Sequence, residues 1–178
     1  MKNLMRAFHI GNCRLINFVN LSKEEVALVK CWRNHKDIRK WMYSDHIIST
    51  KEHLEFIKNL KNNKKNFYWL VKNNGCDDLG VVYFNRVDFK NRNAFMGIYS
   101  NPKMEKAGSL IMDCAKHLAF NLFGLRTLKL EVIETNTQAI DFYKKNGFIK
   151  EGILKDFVCK GREFKDVFLM GIVHSNEK

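Results

Sequence analysis

The residues best suited to chemistry lie in the run Glu134-Thr-Asn-Thr-Gln-Ala-Ile-Asp-Phe-Tyr-Lys-Lys-Asn-Gly-Phe148. Tyr143 carries a phenol, which stays protonated at neutral pH and can give its proton to a departing anion. Asn136 can start a helix, because its side-chain oxygen can accept an orphan backbone N–H. The same two residues also read as a core tyrosine and a plain N-cap. A second constellation is Met96-Gly-Ile-Tyr-Ser-Asn-Pro-Lys-Met-Glu-Lys-Ala-Gly-Ser-Leu110. A strand, a loop and a helix N-terminus in that order form a phosphate site, since free N–H groups and the helix dipole face the ligand. A third is Trp32-Arg-Asn-His35 with Trp41-Met-Tyr43 and His53. Arg33, Tyr43 and His53 could stack on a base and pair with phosphate, or the aromatics could simply pack between two helices. Glu131 interrupts an apolar strand run and points either into a cleft or into solvent, with Glu134 the alternative carboxylate.

These residues need elements to position them. The alternation in Arg14 to Asn20 predicts a first strand. Ser22-Lys-Glu-Glu25 and Ser49-Thr-Lys-Glu52 are capping boxes. They open helices carrying Val26, Val29 and Trp32, and Leu54, Ile57 and Leu60. Between them a short helical stretch holds Ile38, Trp41 and Met42. Phe67 to Lys72 and Leu79 to Phe89 read as strands around the turn Asn73-Asn-Gly75, and Ala94 to Ser100 as a third. Pro102 has no N–H to donate and interrupts pairing there. Ala107 to Phe123 is helical, with Leu110, Ile111, Cys114, Leu118 and Leu122 inward and Gly124 as its stop. Leu128 to Ile133 is a strand. Ala139, Ile140 and Phe142 turn one face of the next helix to the core, and Asn146-Gly147 ends it. Phe148 to Phe157 and Glu163 to Val173 form a closing hairpin around Lys160-Gly161. The order β, α, α, β, β, β, α, β, α, β, β implies an α/β chain with a mixed sheet of about seven strands.

Composition narrows the classes. The 178 residues suit one domain, with residues 14–173 as its folded core. A hydrophobic share of 46% can build a core, and 28% charged residues argue against disorder. No apolar run approaches the ~20 residues that span a bilayer, and Met1 to Ile10 shows no signal-peptide pattern. Cys13, Cys31, Cys76, Cys114 and Cys159 are scattered without a Cys-x-x-Cys pair, which suggests neither a metal site nor a disulfide framework and fits a reducing cytoplasm. Cys114 falls on an apolar helix face and reads as core, so a thiol nucleophile is not favoured. The formal net charge of +12 favours anionic partners. The charge is spread along the chain without a nucleic-acid motif, so a phosphorylated small molecule fits it better than nucleic acid.

The pattern Asn-x-x-Ala-Ile-x-Phe-Tyr-x-Lys-x-Gly-Phe resembles the last helix of the GNAT acyltransferases, and the element order resembles their fold over nearly the whole chain. The resemblance implies acetyl-CoA as cosubstrate, with no metal. In that family a loop of the form Arg/Gln-x-x-Gly-x-Gly/Ala cradles the pyrophosphate. Lys103 matches its first position and Gly108 its last, while Lys106 replaces the first glycine. Lysine accepts positive φ less readily than glycine, so either the loop is reshaped or Lys106 is strained. The resemblance places Ile98, Tyr99, Lys103, Lys106, Ala107, Gly108, Ser109 and Asn136 on the cofactor, whose pantetheine arm lies between two splayed parallel strands, here Ala94–Ser100 and Leu128–Ile133. It makes Tyr143 the proton donor to sulfur, and Glu131 a carboxylate that deprotonates the amine through water. The segments around Arg33, Trp41-Met42-Tyr43 and His53 are similar to the branch that acetylates UDP-linked 4-amino sugars on the way to pseudaminic acid and flagellin glycosylation. That likeness puts Arg33, Met42, Tyr43, His53 and Tyr99 on the acceptor and implies a homodimer. N-terminal acetylation of a ribosomal protein, and a non-catalytic basic module binding nucleic acid, are the competing expectations.

Overall fold

A computed structural model describes residues 4–75 and 77–174; Cys76 lies outside them. The elements run β1 (Phe8–Ile10), β2 (Cys13–Asn17), α1 (Lys23–Asn34), α2 (Lys36–Arg39), α3 (Thr50–Leu60), β3 (Phe67–Asn73), β4 (Asp78–Asp88), β5 (Asn93–Ser100), α4 (Ala107–His117), β6 (Thr127–Ile133), α5 (Thr137–Lys145), β7 (Ile149–Lys160) and β8 (Glu163–Val173). The eight strands form one mixed sheet in the order β1-β2-β3-β4-β5-β6-β8-β7. Every pairing is antiparallel except β5 with β6.

The sequence explains both faces of the sheet. Side chains alternate along each strand. Trp69, Val71, Val82 and Phe84 join Ile111 and Ala115 of α4, and Leu118 just beyond it, in one core. Leu70 and Val81 point the other way, against Val29 and Trp32 of α1 and Ile57 and Leu60 of α3. Both capping boxes form, with Ser22 accepting from Glu25 N–H and Ser49 accepting from Glu52 N–H, each at 3.2 Å.

Several expectations need correction. The sheet has eight strands, because β1 is a three-residue strand too short to show a pattern. The first expected strand ends at Asn17, whose side chain accepts from Val19 N–H at 3.1 Å and turns Phe18–Asn20 into a 3-10 turn. Trp41 and Met42 lie beyond the short helix, where Arg33 and Arg39 donate to the carbonyls of Ser44 and Asp45 and hold an irregular strap. The long helix stops at His117 and continues as a π turn over Leu118–Leu122. Leu54 and Leu110 are about half exposed, because Ile57 with Leu60, and Ile111 with Ala115, set the buried faces. Phe89 falls just past β4 and is exposed.

The site depends on one irregularity. β5 pairs β6 only at Asn93, Ala94 and Phe95, opposite Thr127, Leu128 and Lys129. Beyond that point the two strands separate. Their outer edges remain paired, β5 to β4 as far as Ser100 and β6 to β8 as far as Ile133. The opening is therefore a rigid V within the sheet.

Trp69 anchors the core that supports this V. It is fully buried, and the rings of Phe8, Phe67, Phe84 and Phe123 surround it at 5.7 to 6.4 Å between centroids. Trp69→Ala should cost about 3–5 kcal/mol. Urea unfolding checks this: the midpoint should fall with little change in slope.

Candidate active site

The V is bordered by the start of α4 and by α5. Lys106 occupies the N-cap of α4 with φ 60° and ψ 10°, in the left-handed region. The lysine thus keeps the backbone geometry that a glycine would supply freely, and no side chain caps this helix. A groove of about 660 Å³ runs along the loop and the first turn of α4, past Lys106, Ala107, Gly108 and Ser109, to Asn136 and Tyr143 of the α5 region. Ile98 and Tyr99 of β5 form its floor. Lys103 is not part of this lining; its N–H is committed to the side chain of Asn101 at 3.0 Å. Gly108 lies close under α5, where an added Cβ would stand 3.4 Å from the Phe142 ring.

Asn136 caps α5 by accepting from Ala139 N–H at 3.3 Å. Gly147, at φ 86°, ends the helix in the left-handed turn expected of it. Between these ends, α5 presents Tyr143 to the narrow part of the V. Tyr143 is buried between the rings of Phe142 and Phe148. Burial alone pushes its phenol up to about 12, which keeps it protonated at neutral pH.

Glu131 faces the cleft, which settles its orientation. Its Oε1 accepts from Arg86 Nη2 at 3.0 Å and its Oε2 from the Tyr43 hydroxyl at 2.8 Å. Arg86 also lies 4.0 Å from the centroid of Phe95, and its φ of 53° marks the bulge that turns it there. Burial, and then the bond to Glu131, raise the Tyr43 phenol well above its ordinary range. A cavity of about 170 Å³ at the closed end of the V is lined by Gly97, Tyr99, Glu131, Asn136 and Tyr143 among others.

A second cavity, of about 360 Å³, adjoins it on the α1–α3 side and contains Arg33, Met42, His53, Tyr68, Tyr83, Asn85 and Tyr99. Arg33 spends Nη2 on the Ser44 carbonyl at 2.6 Å, but its Nη1 is buried without a hydrogen-bond partner. His53 is 5% exposed, and its Nε2 is likewise unpartnered. Burial and nearby Lys30 lower the His53 pKa, so the ring is held neutral. Arg33 Nη1 is an unpaired donor and the neutral His53 ring, bonded to the Val26 backbone through its other nitrogen, leaves Nε2 an unpaired acceptor. Such buried groups cost ~1–3 kcal/mol each, which a ligand could recover. His35 is a cap instead, accepting from Asp37 N–H at 3.4 Å. Cys114 is buried in the core, and burial pushes its thiol up to about 12, which does not suit a nucleophile.

The structure thus brings Tyr143, Glu131, Asn136, Ile98, Tyr99 and the Lys106–Ser109 turn to one opening, with Arg33, Met42 and His53 beside it and Tyr43 bonded across to Glu131. Sequence reasoning missed Tyr68, Tyr83, Asn85 and Arg86. The tyrosines show in the sequence only as ordinary strand residues. Arg86 gives no local signal, since a bulge aims it.

The comparisons with known proteins agree with this geometry. A family profile described as an acetyltransferase (GNAT) domain matches residues 19–169. The acetyltransferase PseH of Campylobacter jejuni subsp. jejuni serotype O:2 is 34% identical over 148 residues, covering 82% of this chain and 92% of that protein. The crystal structure of C. jejuni N-acetyltransferase PseH in complex with acetyl coenzyme A is 26% identical, with a TM-score of 0.72, and the match covers 92% of this chain and 99% of that one. Spermidine N-acetyltransferase from Vibrio cholerae, solved with CoA and spermine, shares the fold, with a TM-score of 0.82 at 21% identity over 93% of this chain and 98% of that one. The chain belongs to the GNAT family and is an acetyl-CoA-dependent N-acetyltransferase.

Proposed function

We propose that this enzyme acetylates the 4-amino group of UDP-4-amino-4,6-dideoxy-N-acetyl-β-L-altrosamine, a step of pseudaminic acid biosynthesis that feeds flagellin glycosylation. One observation carries the reading. A cavity with unpartnered Arg33 Nη1, a donor for an anionic oxygen, and unpartnered His53 Nε2, an acceptor for a hydroxyl, opens beside the closed end of the V, so an acceptor carrying both groups could hold its amine against the acyl end. The likeness to PseH supports the choice of sugar.

Acetyl-CoA supplies an acetyl group activated as a thioester. The first turn of α4, with Lys106 at its cap, would hold the pyrophosphate by N–H groups and charge. The unpaired edges of β5 and β6 would take the pantetheine arm as an added strand. Backbone N–H groups near Tyr99 would polarise the carbonyl. Glu131, fixed by Arg86 and Tyr43, would draw a proton from the amine through water, and Tyr143 would give one to the leaving sulfur. Tyr99 lines both cavities, which supports direct transfer with both substrates bound. Holding two reactants together can contribute roughly 7–11 kcal/mol to such a step.

The acceptor is tested by following CoA thiol release with the UDP-4-amino sugar, an N-terminal ribosomal-protein peptide and duplex DNA in parallel. Turnover with the sugar alone is expected. Turnover with the peptide in its place would make the enzyme a protein acetyltransferase.

Tyr143→Phe should lower kcat about 10²–10⁴-fold while leaving the KM for acetyl-CoA nearly unchanged. Steady-state kinetics decide the matter, and an unaltered kcat would remove Tyr143 from the acid role.

Lys106→Gly should act in opposite directions on stability and binding. It removes a left-handed conformation that costs ~1–2 kcal/mol for an L-residue, offset in part by glycine's greater unfolded freedom. Thermal melting should show an unchanged or higher Tm. Calorimetry should show weaker acetyl-CoA binding, with a shallower dependence on salt.

A further inference from the structure

Tyr83 lines this region and the mechanism above does not use it. It stands on β4 directly across from Gly97 of β5, so both residues face the acceptor side of the sheet. Gly97 has no side chain, and the Tyr83 ring lies over it. A Cβ built on Gly97 would stand 2.1 Å from the Tyr83 hydroxyl oxygen and 2.2 Å from its Cζ. The phenol therefore fills the space where a β5 side chain would otherwise project. From there it lines both the acceptor cavity and the closed end of the V.

The ring is held in place. It stacks on Tyr68 at 5.0 Å between centroids and 15° between planes, and the Tyr68 hydroxyl is fixed in turn by Asn85 at 3.0 Å. Moving the Tyr83 phenol would disturb this stack.

Its position along the V matters. The phosphate end of the cofactor belongs at the start of α4, which follows the wide end of β5. An arm running back along β5 brings the acyl group to the narrow end, near Gly97, where the cavity shrinks to about 170 Å³. On the cofactor reading above, we infer that the Tyr83 phenol, packed over Gly97, is the wall that limits the transferred acyl group to acetyl. A longer acyl chain would meet a braced ring, and a hydrophobic pocket with a fixed wall discriminates one methylene by roughly 10–200-fold. Gly97 is the second half of the device, since any side chain there would displace the ring.

The test measures acetyl-CoA and propionyl-CoA binding by calorimetry without acceptor, so it does not depend on the identity of the sugar. Wild type should prefer acetyl-CoA by at least tenfold. Tyr83→Ala should reduce that preference about tenfold or more, and Tyr83→Phe, which keeps the ring, should leave it within about threefold. Because the ring also supports Tyr68, Tyr83→Leu is the second variant, with circular dichroism and Tm as the check on folding. A folded Ala or Leu variant with the wild-type preference would overturn the inference. So would a Phe variant that loses the preference, since the hydroxyl and not the wall would then be responsible. Wild type that binds neither thioester would overturn the cofactor reading itself and the inference with it.

Discussion

Once β5 and β6 part beyond Phe95 and Lys129, the backbone groups on their facing edges have no strand partner. Buried amide groups left unpaired cost ~1–3 kcal/mol each, so a sheet does not open in its middle without compensation. Here the compensation is mechanical on the outside and chemical on the inside. β4 holds β5 to its end and β8 holds β6 to its end, which keeps both edges straight. The opening is then a slot with regularly spaced donors and acceptors, suited to an extended polyamide arm. Every other functional feature is placed by reference to that slot. α4 begins at its mouth, α5 covers one side, and the strap after α2 covers the other.

The strap shows how an irregular segment can be made definite. Residues 41–45 have no regular secondary structure, yet their carbonyls are claimed from several directions. Arg33 bonds Ser44, Arg39 bonds Asp45, and Lys160 from the closing hairpin bonds the Met42 carbonyl. Tyr43 then reaches across to Glu131 and packs edge-on against Phe157 at 5.9 Å. Charged donors on neutral carbonyls make stronger bonds than neutral pairs. Some of the positive charge read in the sequence as attraction for anions is thus employed internally, in fixing the strap.

Legibility followed the range of the signals. Local signals read well: the two capping boxes, Asn136 as cap, Gly147 as stop, and the strand alternation that exposed Glu131 as an oddity. Periodic patterns located helices but overextended them. His117 begins a π turn because Phe123 N–H bonds back to Leu118, a choice that Leu118, Ala119 and Leu122 do not announce. Tyr83 and Arg86 were invisible as site residues for a different reason. The first matters only because the partner across the strand pair is Gly97, and the second only because a bulge redirects it. Both facts are relations between distant residues. The parallel strands of the V were nameable through family resemblance, but their separation after three paired residues is a property of the folded sheet.

The faces of that sheet finally distinguish an enzyme from a binding scaffold. Glu131 projects from β6 toward the α1–α3 side, whereas its neighbours Leu130 and Val132 enter the core on the α4 side. Tyr143 reaches the slot from that opposite side, packed in the same core. A carboxylate and a protonated phenol therefore approach one opening from its two faces, as the proposed acid and base roles require. Aminolysis of a thioester needs this separation, because the amine loses a proton on one side of the carbonyl while sulfur gains one on the other. A module that merely held a basic surface toward nucleic acid would derive nothing from a buried phenol kept protonated, or from a carboxylate clamped by Arg86 and Tyr43 in the middle of a sheet.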